Sequence, residues 1–130
     1  LDPRINSKQF IRSSLSRMLK QKYGNGYWVG RTVFVQPGCL KTYHFAPFVL
    51  VAGALVLLAV GVAFSWLPFA ACAALYALLC CALSVYAVSQ SDARNATMIA
   101  LPVVFAGIHI SYGFGTLFGL IKGLFSMKEK

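Results

Sequence analysis

The sequence predicts an all-α integral membrane protein, with an amphipathic interfacial helix followed by about three transmembrane helices. Two observations carry that fold class. From Thr42 to Ser91 the chain holds no Asp, Glu, Lys or Arg, and a second uncharged run extends from Asn95 to Ile121. Hydrophobic residues make up 58% of the chain and charged ones 12%, against roughly 25% charged in an ordinary soluble domain. A helix rising about 1.5 Å per residue needs about 20 apolar residues to cross about 30 Å of hydrocarbon, so the first run holds two passes and the second one. A water-soluble core is excluded, because the polar residues are too few to wrap three apolar stretches.

Charge divides the chain at the same place. Of twelve Lys and Arg, eight (Arg4, Lys8, Arg12, Arg17, Lys20, Lys22, Arg31 and Lys41) precede the first apolar run, opposed there only by Asp2. Residues 1–41 therefore read as a basic cytoplasmic or interfacial leader, and 42–130 as the transmembrane region. The excess of positive charge places the N-terminus on the cytoplasmic side. A basic segment tethered beside a bilayer has anionic lipid headgroups as its nearest partner, at about 1 kcal/mol per residue, so nucleic acid is not the expected ligand. A secretory signal is not expected in this sequence, since the apolar region begins far in and lacks a short h-region with a cleavage site. Because the chain opens at Leu1 inside a polar basic stretch, a longer parent protein is one expectation and a processed product another.

Within the leader, Phe10, Ile11, Leu15, Met18 and Leu19 recur at three- and four-residue spacing, with Lys8, Arg12, Ser16 and Lys20 on the other face. That pattern predicts an amphipathic helix over 7–22, lying flat among headgroups. Asn6 or Ser7 would cap it, Gln9 would complete a capping box with Asn6, and Gly24 would end it. The following stretch, Tyr23 to Pro37, mixes glycines with β-branched residues and is expected to form a second, broken interfacial element. Tyr27 and Trp28 suit the membrane boundary. Gly24, Gly26 and Gly30 satisfy neither the dinucleotide nor the Walker phosphate-loop spacing. The lipid-facing set is thus Lys8, Arg12, Arg17, Lys20, Lys22, Tyr27, Trp28 and Arg31.

The spans are expected at about 47–64, 68–88 and 99–121. Pro47 opens the first, where a missing N–H costs nothing. The short link Ser65–Pro68 forces an antiparallel hairpin, and Ala70, Ala73, Ala74 and Ala77 would give the second span a smooth face for another helix. Along the third, Gly107, Ser111, Gly115, Gly119 and Gly123 fall at four-residue intervals, a stripe that predicts close helix pairing within the chain or between copies. His109 lies in the same span without an intramembrane carboxylate to partner it, which favours a hydrogen-bonded structural histidine over a proton relay. Three full spans starting inside would end outside, in tension with Lys122, Lys128 and Lys130. A break near Tyr112–Gly113 would remove that conflict. Cys39, Cys72, Cys80 and Cys81 show no metal-ligand or disulfide spacing and read as small apolar packers.

The sequence RSSLSRMLKQKYGNGYWVGRTVFVQPG, followed closely by HFAPFVL, resembles the region that joins the catalytic domain to the membrane helices in bacterial family 2 glycosyltransferases, the succinoglycan-biosynthesis ExoA-like enzymes above all. The matching positions are Gln21, Tyr23, Gly24, Tyr27, Trp28, Pro37 and Pro47. The ending HISYGFGTLFGLIKG is similar to the family's last helix around Tyr112, Gly113 and Gly115. The resemblance implies a membrane anchor of an enzyme in the bacterial inner membrane that passes a sugar from a nucleotide donor to a polyprenyl-phosphate-linked or polysaccharide acceptor. Nucleotide-sugar and Mg²⁺ or Mn²⁺ would belong to a catalytic domain upstream. This chain carries no catalytic or metal residue: its acids are only Asp2, Asp92 and Glu129, and base catalysis and Mg²⁺ binding need placed carboxylates. Of the acceptor motif Gln-x-x-Arg-Trp, Gln9, Arg12 and Ser13 match only the first part. The rival reading is a free-standing small membrane protein that acts as an oligomeric scaffold or subunit through the glycine stripe.

Overall fold

The computed structural model describes residues 14–91 and 96–128. Among the described residues four helices follow one another: α1 (Leu15–Thr32), α2 (Ala46–Ala63), α3 (Leu67–Ser89) and α4 (Leu101–Lys128). Short 3₁₀ turns at Pro37–Cys39, Thr42–Phe45 and Ala96–Ala100 join them. No strand occurs among the described residues. Three segments, Thr42–Ala63, Leu67–Ser89 and Met98–Met127, are long and apolar enough to cross a membrane. The protein is a helical membrane protein.

α2 and α3 are apolar on every side, so neither has a face that prefers water, and both remain open where lipid would surround them. Val62 is 74% exposed and Leu75 67%. Proline stands in the first turn of each helix. Between them Ser65 Oγ accepts the Leu67 N–H at 3.3 Å. The Trp66 ring folds back over Gly61, where a Cβ would stand 3.0 Å from it. Ahead of α2, the Lys41 N–H donates to His44 Nδ1 at 3.1 Å, which closes the turn that delivers the chain to Pro47.

α4 is the hub, touched by each of the other three helices. At Gly113 its backbone meets the first turn of α2, at Pro47 O and the Val51 side chain. Toward α3, His109 Nδ1 lies 2.9 Å from the Tyr76 hydroxyl, giving the span's histidine the hydrogen bond that a polar group in hydrocarbon requires. One turn and two turns further along α3, Cys80 and Ser84 are buried, and the Ser84 hydroxyl donates to the Cys80 carbonyl at 2.6 Å. The smooth face expected to receive a neighbour is not the one used: Ala70, Ala73, Ala74 and Ala77 all stay exposed. The face of α3 that meets α4 is the one carrying Tyr76, whose hydroxyl bonds His109.

Two further expectations are corrected. The helix predicted to stop at Gly24 continues without interruption to Thr32, and the stretch read as a broken element is its second half. Residues 7–13, including Lys8 and Arg12, lie outside the described residues. Nor is there a break near Tyr112–Gly113: α4 runs on to Lys128, well past the expected end at 121.

Candidate functional site

The densest packing in the molecule joins α1 to α4. Contacts advance together along both chains, Leu19 beside Gly107, Tyr23 beside Gly115, Tyr27 beside Gly119 and Phe34 beside Gly123, so the two helices run parallel. At three of these glycines the neighbouring segment leaves no room. A Cβ at Gly115 would fall on the Tyr23 carbonyl, one at Gly119 on the Tyr27 carbonyl, and one at Gly123 on the Phe34 ring. At Ser111, the remaining member of the stripe, the hydroxyl donates to the Leu19 carbonyl at 2.8 Å. Four positions of the stripe therefore face α1, and the fifth, Gly123, faces Phe34 just beyond its end.

The partner stripe lies in the leader and was not recognised as one from sequence. Gly26 and Gly30, four apart, are both buried in the seam. A Cβ on Gly26 would collide with the Tyr112 carbonyl and stand 3.0 Å from Thr116 N, and one on Gly30 would stand 2.7 Å from Leu120 N. Between them Thr116 is completely buried, its hydroxyl donating to Tyr112 O at 3.1 Å. Backbones approach this closely only where both surfaces lack side chains. That contact explains why α1 ignores its glycines as stop signals: each costs a helix about 1 kcal/mol in isolation, and seam packing offsets it. Gly24 is the exception, with nothing within 4 Å of its Cβ position.

The lipid-facing set divides accordingly. Arg17 and Lys20 are exposed, Lys22 is half-buried, and Trp28 projects outward at 67% exposure with its indole edge against the Tyr27 ring, centroids 5.8 Å apart. Tyr27 and Arg31 turn instead toward α4. There they join Tyr23, Phe118, Ile121, Lys122, Phe125 and Ser126 around an open groove of about 570 Å³. The Tyr23 and Phe118 rings tilt against each other in its lining, centroids 6.4 Å apart. Two cations, two phenols and a hydroxyl share it with an apolar wall. Asp2, Asp92 and Glu129 all fall outside the described residues, so every described cation faces its surroundings without a described carboxylate.

A second cavity of about 330 Å³ opens between α2 and α3, with Val49, Leu57, Phe69 and Ile110 among its walls. It carries almost no polar surface. Among the described residues no group of three His, Cys, Asp or Glu side chains comes together. No family model matches the chain, and no curated protein and no solved structure matches it.

Proposed function

We propose that this chain is the membrane-anchoring C-terminal region of a bacterial family 2 glycosyltransferase, joined through its leader to the domain that moves a sugar from a nucleotide-sugar to a lipid-linked or polysaccharide acceptor. In that reading it serves exopolysaccharide or cell-envelope glycan synthesis at the cytoplasmic face of the inner membrane. The chain itself supplies anchoring and no chemistry.

One observation supports the anchor over the oligomeric scaffold: the glycine stripe of α4 is covered by α1 and Phe34 of the same chain, so it is not free to pair copies. A leader clamped in this way ties residues 15–32 to the membrane helices. Its depth follows from charge. Arg17, Lys20, Lys22 and Arg31 would each cost about 2.5–3.5 kcal/mol at the bilayer centre, whereas at the headgroups each gains about 1 kcal/mol. In this reading α1 lies at the surface and the C-terminal part of α4, from Gly115 to Gly123, lies there with it, while Gly107 and Ser111 reach toward the hydrocarbon against Leu19. Gly113, against the first turn of α2, falls at the level where the chain leaves the headgroups. This arrangement keeps Lys122 on the same side as the leader, in accord with the positive-inside bias.

The test is genetic before it is enzymatic. Reading the frame upstream of Leu1 should reveal an α/β domain with paired aspartates, whereas a start codon directly before Leu1 would overturn the glycosyltransferase reading. In the full-length protein, Gly115→Leu with Gly119→Leu should reduce sugar transfer to a membrane-bound acceptor while leaving hydrolysis of the nucleotide-sugar in solution unchanged.

A further inference from the structure

We infer that the groove between α1 and the C-terminal half of α4 is a binding site for one phosphate-bearing anionic lipid of the leaflet in which α1 lies. The inference rests on the anchor reading only in that it places this pair of helices at a membrane surface; it does not require the enzyme. Arg31 and Lys122 approach the groove from opposite helices, and among the described residues no acidic side chain lines it. A guanidinium fork and an ammonium offer donors suited to phosphate oxygens. The Tyr23 and Tyr27 phenols and the Ser126 hydroxyl supply neutral donors around the same space.

The rest of the lining selects the source of the phosphate. Phe118, Ile121 and Phe125 stand on consecutive turns of α4, all substantially exposed, and form an apolar wall beside the cations. A free anion makes no use of such a wall. A phospholipid fills both halves at once, with its headgroup between Arg31 and Lys122 and an acyl chain along the phenylalanines. The volume of about 570 Å³ falls within the range of pockets that hold a molecule of several tens of atoms. The groove runs beside the second half of the α1–α4 seam, so a bound lipid would brace the clamp from outside.

The experiment uses the whole chain in neutral detergent, titrated with short-chain phosphatidic acid and with phosphatidylcholine of the same chain length, and counts bound lipids by native mass spectrometry. Arg31→Gln with Lys122→Gln should weaken phosphatidic acid binding roughly 30-fold, about fivefold for each basic contact removed. Arg17→Gln with Lys20→Gln removes the same charge from exposed positions that do not line the groove and should change binding less than about twofold. Lys122→Arg, which keeps the charge, should retain binding and shows that the site survives substitution. Equal losses in the two glutamine pairs would overturn the site in favour of diffuse attraction. Displacement of the lipid by 10 mM inorganic phosphate would overturn it in favour of a free anion. Failure here is separable from failure of the anchor: the Arg31/Lys122 variant should still float with neutral vesicles, and only an unmodified chain that does not float would count against the membrane reading itself.

Discussion

Replacing Gly119 with alanine should destabilise the α1–α4 seam, whereas the same substitution at Gly24, on the same clamp, should strengthen α1. In a helix alanine is preferred over glycine by about 0.8–1.0 kcal/mol. At Gly24 nothing lies within 4 Å of the added methyl, so the variant should show that gain, about 0.5–1 kcal/mol, and nothing else. At Gly119 the methyl falls on the Tyr27 carbonyl and within 3.1 Å of the Gly30 Cα. Both obstacles are backbone, which cannot rotate away, so the helices must separate. Overpacking of this kind typically costs about 1–3 kcal/mol. Separation also stretches the Ser111–Leu19 hydrogen bond, whose class averages about 0.6 kcal/mol in membranes. After subtracting the alanine preference, the net loss is about 1–3 kcal/mol.

The assay is titration of the folded chain in mild detergent with dodecyl sulfate, followed by Trp28 emission on a Trp66→Phe background. Trp28 sits on α1, so its emission reports release of that helix, while the background helices remain helical in both detergents. The two alanine variants should move the midpoint in opposite directions. Midpoints that shift the same way, or that agree within about 0.5 kcal/mol, the limit within which unrelated surface substitutions fall, would refute the claim that backbone contact defines the seam.

Three other outcomes follow from the same contacts. Ser111→Ala should lower seam stability by about 0.5–1.5 kcal/mol, the span measured for interhelical hydrogen bonds; an unchanged dodecyl sulfate midpoint would show that the hydroxyl contributes nothing to pairing. Tyr76→Phe leaves His109 without its partner across α3 and α4, and should cost about 0.6–1.7 kcal/mol in thermal unfolding, with Tyr76→Ala costing more through lost packing. In oriented vesicles, Ser126→Cys and Arg17→Cys, each introduced into a chain with its native cysteines replaced by alanine, should react with a membrane-impermeant thiol reagent from the same side. Labelling from opposite sides would place the end of α4 across the bilayer from the leader.

Much of this fold was legible from composition alone, since an uncharged stretch as long as Thr42–Ser91 has few folding options outside lipid. The hairpin followed from the short link between Phe64 and Pro68, and the first two spans ended within a few residues of their expected limits. Helix termini near glycine were not legible. Gly24, Gly26 and Gly30 look identical to a local reading, because propensity considers the residue and its chain neighbours, yet two of them are seam contacts and one is free. The information that distinguishes them sits roughly ninety residues away on α4, in positions that only the tertiary fold brings alongside. A period of four shared by Gly26–Gly30 and by Gly107–Gly123 was the available signal. It becomes informative only when two stripes are sought as a pair. The groove was harder still, since Arg31 and Lys122 carry no motif and acquire a common purpose only by adjacency.

The stripe also illustrates why a packing motif in a membrane sequence specifies an affinity before it specifies a partner. Lipid offers helices little hydrophobic reward for association, so a face of glycines favours whichever neighbour can approach most closely. A second copy of α4 would bring its own stripe, but it would have to find the first by diffusion in the plane of the membrane. α1 is tethered, and tethering makes its encounter with α4 intramolecular at a high effective concentration. It further offers Gly26 and Gly30 as complementary gaps and the Leu19 carbonyl as an acceptor for Ser111. A competing copy would therefore have to displace both glycine contacts and the hydrogen bond without any gain in apolar burial. On these terms the chain should remain monomeric in mild detergent while α1 is docked, and dimers should emerge only in variants such as Gly26→Leu, in which α1 is expelled and the α4 stripe is uncovered. Analytical ultracentrifugation of the two forms decides this: a dimer of the unmodified chain that Gly26→Leu leaves unchanged would mean that copies meet through some other surface.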